Sequence, residues 1–118
     1  MARNRYERTR RRYMGVDVWV PAGPTVRRLQ ALACIGWSSK QVAARLPGFT
    51  GSTVALIREG DQAEVKSSTA RAVAAVYRVL ATTPNTAPGS RQTRGWARKY
   101  GWAGPLDWAD IDRGVKDE

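Results

Sequence analysis

Apolar residues recur at helical spacing through the middle of the chain. Val73, Val76, Tyr77 and Leu80 fall at i, i+3, i+4 and i+7, which predicts an amphipathic helix over SSTARAVAAVYRVL. Ser67 or Ser68 is placed to cap it, and Arg71 and Arg78 fall on its other face. Upstream, Leu29, Leu32 and Ala33, with Val26, make the inward stripe of a helix over residues 25–35. Thr25 or Pro24 starts that helix, because proline's fixed φ suits a first turn. Between the two lie shorter stripes, Val42, Ala43 and Leu46 in residues 39–46, and Val54 and Ile57 in residues 51–59.

The breaks between these stripes are as informative as the stripes. Gly36 ends the first helix. Ser38 can accept from the free N–H groups of the next turn, and Gln41 three residues on completes a capping-box spacing. Pro47-Gly48 turns the chain. Thr50 can cap the third helix and Gly60 ends it. Two short helices on a tight turn form a helix-turn-helix, a unit that places its second helix in a DNA major groove.

The flanks carry weaker patterns. Residues 15–24 alternate Val16, Val18 and Val20 with Asp17 and Trp19, then stop at Pro21 and Pro24. This predicts an extended lead-in without a strand partner, with Val18 or Trp19 packing on the helices. Residues 61–66 predict a loop with Val65 tucked beneath the helices, and residues 82–89 predict a linker. Ser90 can cap a helix ended by Gly101 after Tyr100. Trp96, Tyr100, Trp102, Leu106, Trp108 and Ile111 then need cover. They either fold back on the helical domain or form a surface for a second copy or a host protein, through Trp96, Tyr100, Trp102 and Trp108. The expected architecture is all-α. It comprises a flexible basic arm and lead-in (1–24), a helix-turn-helix domain (25–81), a linker (82–89), a C-terminal helix with a Trp-rich extension (90–112), and a disordered acidic tail (113–118).

Charge sharpens this picture. The chain of 118 residues has a formal net charge of +10, which favours a polyanionic partner. Residues 107–118 hold five acids against Arg113 and Lys116, so the positive charge concentrates upstream. Residues 1–14 hold Arg3, Arg5, Arg8, Arg10, Arg11 and Arg12 against Glu7. That arm has too little apolar surface to fold alone, and suits phosphates or a minor groove. With one cysteine, Cys34, no internal disulfide can form, which fits a reducing cytoplasm. Cys34 sits in an apolar run and reads as a small core residue. No apolar run reaches the length of a membrane span, and the basic N-terminus lacks the apolar stretch of a secretory signal. The chain has no histidine and no acidic pair on structured elements, so no catalytic constellation, cofactor or metal is expected.

The candidate DNA-contacting residues follow from the helices. Ser39 and Lys40 stand at the start of the second helix, where backbone N–H groups suit a phosphate. Thr50, Gly51, Ser52, Thr53, Ala55 and Arg58 fall on or near the outer face of the third. Lys66 adds a phosphate contact. Leu56 either points outward toward a thymine methyl or belongs to the core. Arg27 and Arg28 lie off their helix's stripe, as phosphate contacts or as a solvated face.

The motif WSSKQVAARL followed by STVALIREG resembles the helix-turn-helix of small phage repressor-type regulators, where WSxKxLAxxL precedes STVxxIxxG. VKSSTARAVAAVYRVL resembles the following helix of that superfamily. RRLQALACIGW and GWAGPLDWADID are similar to segments of small helix-turn-helix proteins of actinobacteria and their phages. The resemblance covers about residues 25–112. It implies a double-stranded-DNA-binding transcription regulator, such as a repressor, of phage or mobile-element type. Gly51 and Leu56 depart from it, standing where family members carry polar or basic base readers. The Pro47-Gly48 turn is one residue longer than the compact form. Both departures fit affinity drawn from phosphates and DNA shape. The competing expectation is a helical protein-interaction module docking a host protein through its aromatic C-terminal segment.

Overall fold

The computed structural model describes residues 17–117. Helix α1 (Gly23–Cys34) is the central element. It begins two residues before the expected start, with Pro24 in its first turn and no side-chain cap. Helices α2 (Ser39–Ala43), α3 (Gly51–Glu59) and α4 (Ser67–Leu80) follow. Val26, Leu29, Leu32, Val42, Leu46, Val54, Ile57, Val65, Val73, Val76 and Leu80 belong to one apolar cluster among them. The expected stripes therefore all point inward. α2 closes at Ala43 rather than continuing to residue 46, yet Leu46 stays buried because the turn carries it under the helices.

The all-α expectation is corrected. The protein is a compact, mostly helical domain with two small two-stranded sheets. Strand β1 (Trp19–Pro21) pairs antiparallel with β2 (Glu64–Lys66), and Val20 lies opposite Val65. The lead-in has a partner after all, supplied by the segment expected to be a loop. Period-2 alternation puts Val20 and Val65 inward. Val18 and Trp19 are exposed rather than packed on the helices.

This pairing also changes how α4 begins. Neither Ser67 nor Ser68 precedes the helix; both lie within it. Asp17 provides the cap from across the sheet. Its Oδ1 accepts from the Ser68 N–H at 2.8 Å and the Ser67 hydroxyl at 3.2 Å, and its Oδ2 accepts from the Ser68 hydroxyl at 2.7 Å. A carboxylate there meets the free donors of the first turn. Those hydrogen bonds, led by Ser68, hold the Asp17 carboxyl below its ordinary pKa.

The C-terminal segment folds back on α1. Helix α5 (Ser90–Tyr100) starts after Gly89, so Ser90 is not its cap but a buried residue of its first turn, and Gly101 ends it in the left-handed region. A 3-10 turn (Pro105–Asp107) leads to strand β3 (Trp108–Asp110), which pairs with β4 (Val115–Lys116). Residues 113–116 of the expected disordered tail thus form part of the turn and the second strand of a small hairpin. The hairpin meets α1 at Arg27, and the segment that precedes it meets Cys34 two turns further along. Arg27 Nε donates to the Ile111 carbonyl at 2.7 Å, and Cys34 Sγ donates to the Trp102 carbonyl at 3.3 Å. Ala31 between them is fully buried. Arg28 pairs with Asp112 at 2.8 Å and covers the Tyr77 ring. Arg27 and Arg28 are therefore engaged within the protein.

Residues 82–89 are more than a spacer. Asn85 is buried; its amide donates to the Gly36 carbonyl and to Gln41 Oε1, each at 2.9 Å, and its backbone N–H donates to the Ile35 carbonyl. Gln41 is the residue whose side chain also accepts from the Ser38 N–H. One buried amide thus ties the segment to the connection between α1 and α2.

Candidate nucleic-acid interface

The α2–α3 pair is built by local chemistry. Ser38 Oγ accepts from the Gln41 N–H at 3.1 Å and Gln41 Oε1 accepts from the Ser38 N–H at 3.0 Å, a complete capping box. Thr50 Oγ1 accepts from the Thr53 N–H at 3.2 Å. Gly60, at φ +89°, closes α3. At Gly51 the two helices nearly touch: an added Cβ would lie 3.2 Å from Lys40 Cα. Gly51, expected on or near the outer face, is instead the point where α3 crosses α2. Only glycine allows this approach without displacing backbone.

With Val54 and Ile57 buried, Ser52, Leu56 and Glu59 centre the outer face of α3, and Thr53 is exposed on one flank. The Leu56 alternative is resolved: its side chain is 60% exposed and is not core. Thr50 is exposed but occupied in the cap, Ala55 is half-buried, and Lys40 is exposed at the start of α2 beside the half-exposed Ser39. Lys66 lies on β2 with its Nζ 4.7 Å from the centre of the exposed Trp19 ring. Trp19, Lys66, Thr53 and Leu56 line one side of a shallow groove along α3. The arm arginines, Arg3, Arg5, Arg8, Arg10, Arg11 and Arg12, lie outside the described residues.

Arg58 departs most from expectation. It does not join Ser52 and Leu56 but turns to the opposite flank of α3, its guanidinium 5.2 Å from the Trp102 ring centre. Its Nε is shielded from solvent and has no acceptor. Burial lowers its pKa from the ordinary guanidinium value, with Glu59 and Tyr100 opposing that shift. The physical reason is the α-helical period: Arg58 is one turn past Val54 and one residue past Ile57, close to the buried stripe.

Helix α5 borders this flank. It runs from Gln92 and Thr93, beside Ser38 and Lys40, to Trp96 and Tyr100, beside Ala55, Glu59 and Asp61. A furrow of about 460 Å³ separates α3 from α5. Trp96 packs edge-on against Tyr100, which stacks on Trp102 at 5.3 Å. Trp96 and Tyr100 remain about half exposed, whereas Trp102 is largely covered. The Trp108 ring centre lies 5.8 Å from the Arg27 guanidinium and 5.7 Å from the Lys116 ammonium.

Sequence reasoning missed Trp19, Gln92, Thr93 and Trp96 as neighbours of α3. Gln92, Trp96 and Lys99 or Tyr100 share a stripe that helical spacing makes visible, but nothing local says which helix it borders. Comparison with protein-family models, with curated proteins and with solved structures returns no match. No helix among the described residues is long and apolar enough to cross a membrane.

Proposed function

We propose that this chain is a double-stranded-DNA-binding regulator of helix-turn-helix type that presents the first half of α3 to a major groove. The observation that carries the reading is the close crossing of α2 and α3 at Gly51 and Lys40, which leaves Ser52, Thr53 and Leu56 outward on a rigid pair. Serine and threonine hydroxyls can contact either groove edge or a phosphate, and Leu56 can meet a thymine methyl. Glu59 and Asp61 at the far end of α3 disfavour phosphates there, so contact is concentrated near Thr50 and Ser52. Lys40, Lys66 and the arginine-rich arm supply the sequence-independent part of the affinity.

Few long donors face outward on α3, so discrimination between sites rests on few base contacts and on DNA deformability. Titration of labelled random and genomic duplexes by fluorescence anisotropy tests this, with the full chain and a version lacking residues 1–14. The reading expects selected fragments to bind at physiological salt, a steep fall with added salt, and a shallower fall after arm deletion. Every phosphate that the shortened chain no longer neutralises takes about 0.9 off the log–log slope. Salt-sensitive binding without any preferred fragment contradicts a site-specific regulator. In that case the exposed Trp96, Tyr100 and Leu106 favour the second reading, a module docking a host protein.

A further inference from the structure

Arg58 poses a specific problem. A guanidinium drawn out of water needs acceptors for its five N–H groups. Among the described residues Arg58 forms no ion pair, and its shielded Nε has no hydrogen-bond partner. Stacking on Trp102 satisfies the ring face but supplies no acceptor. Two spaces meet at this side chain. One is the furrow that holds Glu59 and Asp61. The other, of about 180 Å³, lies between the start of α2, Arg58 and α5, and no carboxylate lines it.

That second cavity is equipped for an oxyanion. The hydroxyls of Ser39 and Thr93 and the amide of Gln92 line it with Arg58, and the indoles of Trp96 and Trp102 form its aromatic side. Ser39 and Gln92 make no side-chain hydrogen bond among the described residues, and Thr93 makes only a long one, 3.4 Å, to the Gly89 carbonyl. The donors are therefore available. Exposed Lys40 stands beside the same Gln92 and Thr93.

We propose that this cavity is a phosphate-binding site, in which Arg58 pairs with the phosphate oxygens and Ser39, Gln92 and Thr93 supply further donors. The chemistry is charge-assisted hydrogen bonding from a planar fork in a partly dry site. The phosphate comes from the DNA backbone as it passes the start of α2, an assignment that rests on the function proposed above. Arg58 then anchors a strand rather than reading a base, and α5 becomes the second wall of the DNA-binding surface.

The test follows the Arg58 Nε–H signal in ¹H–¹⁵N spectra of the full chain, assigned by its loss in Arg58→Lys. Inorganic phosphate, sodium chloride at matched ionic strength, and a short duplex are titrated separately. The site predicts a saturable shift with phosphate and with duplex and none with chloride. Thr93→Val, which leaves the Arg58–Trp102 stack intact, weakens the phosphate response severalfold. Arg58→Leu flattens the salt dependence of duplex binding by about one phosphate, so between roughly 50 and 200 mM salt its affinity falls about threefold less than the parent's. A signal that ignores phosphate and duplex, or answers chloride equally, overturns the proposal. Duplex binding with the Arg58 signal unmoved overturns it while the DNA-binding reading stands. Saturation by phosphate without duplex binding at any salt supports the site, rejects that reading, and points to a free phosphorylated ligand.

Discussion

Helices α1–α4 and the segment from residue 82 onward are held by different physics. The first region hides most of its aliphatic side chains in one cluster, Leu56 and Val79 excepted. The second buries little apolar surface of its own beyond Ala97. It is attached by Asn85, by Arg27 and Arg28 reaching the β3–β4 hairpin, by Cys34 against Trp102, and by cations over Trp102 and Trp108. Apolar burial is non-directional and is not screened by salt as ionic contacts are. Exposed ion pairs and cation–π contacts are individually weak and screened. The frame that presents α3 is therefore predicted to be the stable unit, and the wall formed by α5 and the hairpin the part that opens first.

Substitutions can break this contrast. The largest effect belongs to the shared core. Leu32 is fully buried, and Leu32→Ala is expected to cost about 2–5 kcal/mol, a large share of a small domain's stability. Urea denaturation should show both regions lost together, since α1 supports each. Next comes Asn85→Ala, which orphans the Gly36 carbonyl and removes the bond to Gln41. A cost of about 1–3 kcal/mol is expected, with hydrogen exchange accelerated first around residues 82–100. An unchanged exchange pattern would show that the amide is not what fastens the segment.

Asp112→Asn removes the pair with Arg28, whose partner carboxylate is mostly exposed, and should cost no more than about 1 kcal/mol. Its effect is better read through Cys34. Burial first, and Asp107 second, push that thiol up to about 11. In the folded parent it should react with a thiol reagent about a hundredfold more slowly at neutral pH than a thiol near pKa 9, because the thiolate attacks. Opening of the hairpin in Asp112→Asn raises that rate without a matching loss of global stability. The smallest effect is expected at Asp17. Its folded pKa is lowered, so its cap stabilises above the ordinary carboxylate range and is lost as pH falls through the folded value. Asp17→Ala should lower Tm slightly at neutral pH, and the difference should vanish in acid.

The same contrast explains what was legible in the sequence. Helices with a capping residue or a closing glycine in adjacent sequence were readable. The Ser38–Gln41 box, the Thr50 cap and the stops at Gly60 and Gly101 all sit where their residue types require. The inward stripes were readable because burial imposes a period. What was not readable depends on partners distant in sequence. The β1–β2 pairing joins residues some 45 apart. The Asp17 cap spans a similar gap, and Arg27 reads as a surface cation until the hairpin carbonyl of Ile111 meets it. In the candidate site, Lys40, Ser52 and Thr53 are exposed near the start of the α2–α3 unit as expected. Gly51 and Arg58 are not outward, because helix crossing and the helical period send them to the flank facing α2 and α5.

The central claim is that the first half of α3 meets duplex DNA. It is tested most directly by mapping backbone amide shifts in ¹H–¹⁵N spectra as a fragment selected from genomic duplexes is added near physiological salt. The account predicts saturable shifts concentrated at residues 39–40 and 50–56, weaker ones at Lys66, and a quiet outer face of α4 around Arg71 and Arg78. Shifts centred on α4, or on Leu106 and the hairpin with α3 unmoved, would contradict it.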